Sequence, residues 1–211
     1  MRKTVFVDRE FYHLYNRGVD KRDIFLDKWD FERFFTSIEE FNAIDPIGSI
    51  YENSFSKEKH RAKKLVDFIA YCVNPNHYHF ILRQLVEKGI EKFMHRFGTG
   101  YTKYFNNKYK RDGVLFQGKF KAVRIDTNEY LLHLSSYVNL NDRVHKLGSR
   151  FSKSSWREYL NGGEGLCKKN LILKQFKETL EYKEFAESSL KDILERKKLH
   201  KEMENLLLEA N

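Results

Sequence analysis

The sequence predicts an α+β fold on the ferredoxin-like, RRM-like plan. That is a four-stranded antiparallel sheet in the order β-α-β-β-α-β, followed by a further helix and C-terminal helices. Two observations carry the prediction. Leu65–Val73 (LVDFIAYCV) and His77–Leu85 (HYHFILRQL) are strand-like runs separated only by Asn74-Pro75-Asn76, which are turn residues, so the pair reads as a hairpin. On either side of that hairpin lies a segment of helical spacing, each next to one further strand candidate.

Phe11–Asn16 (FYHLYN) is the first strand, closed by Arg17-Gly18. Trp29 to Asn42 places Phe31, Phe34, Phe35, Ile38 and Phe41 at helical intervals, and the chain leaves that helix through Pro46. Residues 45–63 are polar and charged and read as loop. After the hairpin, Ile90 to about Tyr109 reads as a helix that Gly98 and Gly100 weaken. Arg111-Asp112-Gly113 turns the chain into a fourth strand, Leu115–Ile125. Thr127 to Asn141 is a helix capped by Asp126 or Thr127. Beyond Trp156 the chain reads as loop, then as charged helices over Leu171–Tyr182 and Ser189–Ala210. The expected division is a domain over 1–155 and an appended helical segment over 156–211.

With 211 residues, 41% of them hydrophobic and 15% aromatic, the chain can bury one sizeable core. No stretch approaches the ~18 apolar residues of a membrane span. Asp8 and Glu10 interrupt the start where a signal peptide needs an apolar run, so the sequence predicts a cytoplasmic protein. Two cysteines, Cys72 and Cys167, are too few for a disulfide framework or a cysteine-based zinc site.

The net charge of +9 has a location. From Trp156 onward there are 11 basic and 11 acidic residues, so residues 1–155 carry the whole excess, as 28 basic against 19 acidic. Lys92 to Arg124 alone holds nine Lys or Arg and a single acid, Asp112. Cations interleaved with aromatics suit a polyanion with stackable bases. A basic surface with no ligand explains the charge equally well.

On a strand, His77 and His79 alternate onto one face, and Tyr78 and Phe80 onto the other. Two adjacent imidazoles near the end of a sheet can hold one divalent ion; a pair of histidines that simply pack or face solvent is the competing reading. By ligand type alone the pair suits Zn²⁺ or Mn²⁺.

Five motifs, in order, resemble the HUH endonuclease superfamily, specifically the single-tyrosine transposases and their REP-associated relatives. They are YHLYNRG (Tyr12–Gly18), NPNHYHFIL (Asn74–Leu82), YTKYFN (Tyr101–Asn106), GVLFQGKFKAVRI (Gly113–Ile125) and YLLHLSSYVNLN (Tyr130–Asn141). The resemblance spans about two-thirds of the chain. It implies that His77 and His79 are metal ligands, that Tyr137 is the nucleophile, and that Asn141 is a third ligand one turn later. Four-residue spacing sets Tyr137 and Asn141 on one helical face, which supports the pairing. His133 shares that face, where a packing role competes with a role as base. Where relatives often carry proline after the asparagine, this chain has Asp142, a rival ligand.

The resemblance further implies Mg²⁺ or Mn²⁺ as cofactor, single-stranded or hairpin DNA as partner, and cutting with a 5′-phosphotyrosine intermediate. It allows a homodimer. Arg17, Lys103, Lys108, Lys110, Arg111, Lys119, Lys121 and Arg124 are the expected DNA contacts, with Tyr101, Tyr104 or Tyr109 available to stack on bases. Two rivals stand beside this reading: a replication initiator or relaxase of the same superfamily, and a catalytically idle regulator that binds hairpins on the same sheet.

Overall fold

The computed structural model describes residues 4–55, 63–144 and 152–209, with side chains described as far as Arg196. Five strands form one antiparallel sheet in the order β4-β1-β3-β2-β5. They are β1 (Phe11–Arg17), β2 (Val66–Asn74), β3 (His77–Gln84), β4 (Lys121–Ile125) and the two-residue β5 (Lys153–Ser154). The first four are in the expected ferredoxin-like arrangement, and β5 adds a short edge beside β2.

One face of the sheet carries α1 (Lys28–Phe41) and α3 (Gly89–Tyr109). Alternation decides which residues meet them. Tyr12 and Leu14 of β1, and Tyr78, Phe80 and Leu82 of β3, are buried on this side. Phe34 of α1 and Phe97 of α3 meet edge to face with ring centroids 4.8 Å apart, and each also lies within about 6 Å of Tyr78 and Phe80. Asp27 caps α1 by accepting from the N–H groups of Trp29 and Asp30, and Asp30 reaches back in a capping box.

On the other face lies α4 (Asn128–Asn139), capped by the Thr127 hydroxyl. β2 is buried along its whole length because helices cover it on both sides. The expected helix to Asn141 stops two residues early. Leu140 leaves helical geometry (φ −113°, ψ 16°), and the four-residue α5 (Asn141–Val144) starts in a new direction.

Other departures from expectation have local causes. The fourth strand starts at Lys121 rather than Leu115, because Gly118 is left-handed (φ 70°) and ends the approach in a turn. Within the expected 45–63 loop, Ile50–Ser54 forms the short helix α2, and 56–62 lie outside the described residues. Past β5 come α6 (Trp156–Asn161), α7 (Asn170–Leu173) and α8 (Thr179–Glu209). No Gly or Pro interrupts residues 179–209, so α8 runs unbroken where two helices were expected. Its first half packs against α4: the Tyr182 hydroxyl accepts from Asn139 Nδ2 at 2.8 Å and lies 3.1 Å from Ser135 Oγ.

The two glycines of α3 differ in what surrounds them. A Cβ on Gly100 would lie 2.4 Å from the Phe41 ring, whereas one on Gly98 meets nothing within 4 Å. Gly98→Ala should therefore stabilise the fold by about 0.5–1 kcal/mol in urea unfolding. Gly100→Ala should destabilise by about 1–3 kcal/mol through overpacking. Equal effects from the two would contradict the packing described.

Candidate active site

The site forms where α4 and α5 cross the half of the sheet that faces away from α1 and α3. Cross-strand partners in an antiparallel pair share a face. β3 pairs His77 with Arg17 and Asn74, and His79 with Tyr15 and Cys72. β1 in turn pairs Tyr15 with Lys121, and His13 with Val123. His13, Tyr15, Arg17, Asn74, His77, His79 and Lys121 therefore occupy one surface.

Each imidazole is held by neighbours. His77 Nδ1 lies 2.7 Å from Asn76 Oδ1, an acceptor, so it carries the hydrogen and leaves Nε2 as an acceptor. That Nε2 sits 2.9 Å from Asn74 Nδ2 and 3.4 Å from Asn141 Oδ1. Asn74 Nδ2 also donates to Asn141 Oδ1 at 2.8 Å. His79 Nδ1 is 3.0 Å from His13 Nε2, and Tyr15 stacks on His79 with centroids 5.7 Å apart. Burial pushes the His13 imidazole down to about 4.

The Tyr137 ring meets His79 edge to face, centroids 5.7 Å apart, within a single chain. Burial raises the Tyr137 phenol above its usual range. The Asn141 side chain pulls the other way. Asn141 Nδ2 is buried without a hydrogen-bond partner among the described residues.

These residues fit a divalent ion. Donors bound to one ion at about 2.0–2.1 Å stand roughly 3.0–3.4 Å apart. The 3.4 Å between His77 Nε2 and Asn141 Oδ1 meets that spacing, and both atoms face one polar hydrogen donor, Asn74 Nδ2, rather than apolar surface. Among the described residues no group of three or more His, Cys, Asp or Glu is arranged for an ion. The candidate set is two imidazoles and one amide oxygen. Asn141, rather than its neighbour Asp142, meets His77.

The remaining expected residues scatter. Arg17 and Lys121 share the histidine face; Arg17 Nε donates to Gln117 Oε1 at 2.8 Å, and the Lys121 ammonium lies 5.9 Å from the Tyr15 ring. Arg124 pairs across the sheet with Tyr12, so it shares the helical face, and it contacts Glu10 at 3.2 Å. Lys108 is bound to Asp27 and to the fully buried Asp30, which hold its ammonium firmly charged. Arg111 bonds Asn106 Oδ1, Lys110 caps α3, and Lys103 and Lys119 line a groove between α3 and 113–120. Tyr101 is buried, and Tyr104 and Tyr109 bond to Asp30, so the three are engaged in packing. His133 turns to α8, 3.1 Å from Ser189 Oγ, and Tyr130 is exposed.

His13, Tyr15 and Asn74 are the site residues that sequence reasoning missed. The alternation in FYHLYN sets His13 and Tyr15 opposite Tyr12 and Leu14, which was a usable signal. Their proximity to His79 needs the β1–β3 register, which alternation does not supply.

Residues 51–141 match the family model described as "Transposase IS200 like". No curated protein matches the chain. Among solved structures, a REP-associated tyrosine transposase bound to a REP hairpin aligns over 77% of this chain and 86% of its own, with TM-score 0.54 and 16% identity. That likeness is one of fold. A tRNA(His) guanylyltransferase from Saccharomyces cerevisiae aligns over 89% of this chain and 80% of its own, at 13% identity and TM-score 0.32, too loosely to bear on fold or function.

Proposed function

We propose that the chain is an IS200-like transposase, a metal-dependent enzyme that nicks and rejoins single-stranded or hairpin DNA through Tyr137. The observation that carries this reading is the meeting of Tyr137, His77, His79 and Asn141 within one chain.

His77, His79 and Asn141 would hold the ion. When bound, a divalent cation neutralises charge on a scissile phosphate. The chain's own residues do the rest. Tyr137 supplies the nucleophilic oxygen, and α4 directs it at the histidine face. Its phenol loses a proton only reluctantly, since burial adds to an ordinary value near ~10. Asn141 favours the ionised form. Attack forms one O–P bond and breaks the bond to the 3′ oxygen. The proton lost by Tyr137 balances the one gained by the departing hydroxyl. One phosphodiester replaces another, so the 5′-phosphotyrosine can later be rejoined.

The proposed DNA floor is the part of this sheet face that α4 leaves open, with Arg17 and Lys121 on phosphates and Tyr15 beside the site. Lys108 has no part in it. The anionic carboxylates of Asp27 and Asp30 already satisfy it on the opposite layer. Lys121→Gln should weaken binding of a single-stranded oligonucleotide and lower the slope of log Kd against log salt by about 1. Lys108→Gln should leave that slope alone and cost about 2 kcal/mol of stability instead. Indistinguishable salt slopes in the two variants would place the DNA elsewhere.

Covalent trapping tests the chemistry. Hairpin DNA with Mg²⁺ or Mn²⁺ should give a protein–DNA adduct on a denaturing gel, abolished by EDTA. Tyr137→Phe should fold, bind DNA and give no adduct, and peptide mapping should find the wild-type DNA remnant on Tyr137. The exposed Tyr130 is a remote competitor, whereas Tyr15, stacked on His79, is the near one. A remnant on Tyr15, or cleavage untouched by EDTA, overturns the assignment.

A further inference from the structure

Resting on the metal site proposed above, we propose that His13 is a positioning residue: its Nε2 accepts the Nδ1–H of His79 and so keeps the hydrogen off His79 Nε2, the nitrogen offered to the ion. The contact is 3.0 Å between His13 Nε2 and His79 Nδ1. It is fixed by the sheet. β1 pairs with β3 so that Tyr15 stands opposite His79 and His13 opposite Ile81, which sets His13 diagonally beside His79 on the same face. The two rings lie nearly parallel, 18° apart with centroids at 5.2 Å, and Tyr15 stacks against both. His13 is almost fully buried and so has little rotational freedom.

The direction of the proton in this contact decides what His79 can do. A neutral imidazole carries one N–H and one lone pair, and the partner of one nitrogen sets the state of the other. If His13 donated to His79 Nδ1, His79 Nε2 would carry a hydrogen and could not bind a metal. If His79 donates, its Nε2 carries no hydrogen. The same logic already operates at His77, where the side-chain oxygen of Asn76 takes the Nδ1–H and leaves Nε2 toward Asn141. The two ligand imidazoles would thus be oriented by two different acceptors, an amide oxygen for one and a third imidazole for the other. Partners of this kind contribute about 10–100-fold to metal affinity.

Two measurements test this. In wild-type protein labelled with ¹⁵N-histidine and free of metal, two-bond ¹H–¹⁵N spectra should show His79 as the Nδ1–H tautomer, although free imidazoles favour Nε2–H. Finding Nε2–H there overturns the proposal without any variant. Mn²⁺ binding by isothermal calorimetry should then weaken about 10–100-fold in His13→Phe, which keeps a flat ring without an acceptor. His13→Gln, whose amide oxygen can accept the same hydrogen, should stay within a few-fold of wild type. Wild-type affinity in His13→Phe overturns the role of His13 while leaving the metal site standing. No Mn²⁺ binding by the wild type, as expected only of a His77→Ala control, overturns the metal site and this inference together.

Discussion

Asn139 ties the tyrosine helix to the sheet, and the rest of the site depends on that tie. Its Nδ2 donates to the Tyr182 hydroxyl of α8, and its Oδ1 accepts from Ser155 Oγ. Ser155 accepts in turn from the N–H of Tyr71 in the middle of β2. These groups are buried, so each bond is worth more, and its loss costs more, than a surface contact would. Tyr159 extends the same seam by donating to the Ile69 carbonyl. A helix held this way on both sides has little freedom to slide, and one turn of drift would shift Tyr137 about 5.4 Å along the helix axis from its place beside His79.

The clamp also explains why the C-terminal residues matter to a site they do not touch. α8 contributes Tyr182 and Ser189 to the outer face of α4, while α6 contributes Tyr159 beneath it. The break at Leu140 separates two asparagines with different partners. Asn139 faces the clamp, while Asn141, two residues on, faces His77.

Much of this was legible in the sequence. The Asn74-Pro75-Asn76 turn between two apolar runs located the hairpin, and strand alternation put His77 and His79 on one face. The aromatic spacing of α1 survived intact because a packed helical stripe has one period and few alternatives. What stayed hidden were properties of register and tertiary contact. His13 and Tyr15 read as ordinary strand residues until β1 is aligned against β3. Charge was a poor guide to the surface for a related reason. Lys108 and Arg124 count as cations in the sequence, yet Asp30 and Glu10 approach them from distant positions. Two helices, Leu171–Tyr182 and Ser189–Ala210, were expected where α8 runs unbroken over Thr179–Glu209, with Ser189 facing His133.

The central claim is that one chain completes its own site, because the Asn139 clamp holds Tyr137 over the histidines of the same chain. Mixing two variants, each inactive for a different reason, tests it most directly. His77→Ala retains the nucleophile without a full ligand set, and Tyr137→Phe retains the ligands without the nucleophile. Mixed at high concentration and given time to exchange subunits, they should form no more protein–DNA adduct than either forms alone. Adduct recovered in the mixture, carried on the His77→Ala chain, would mean that the tyrosine helix works on a partner's histidines, contradicting the account.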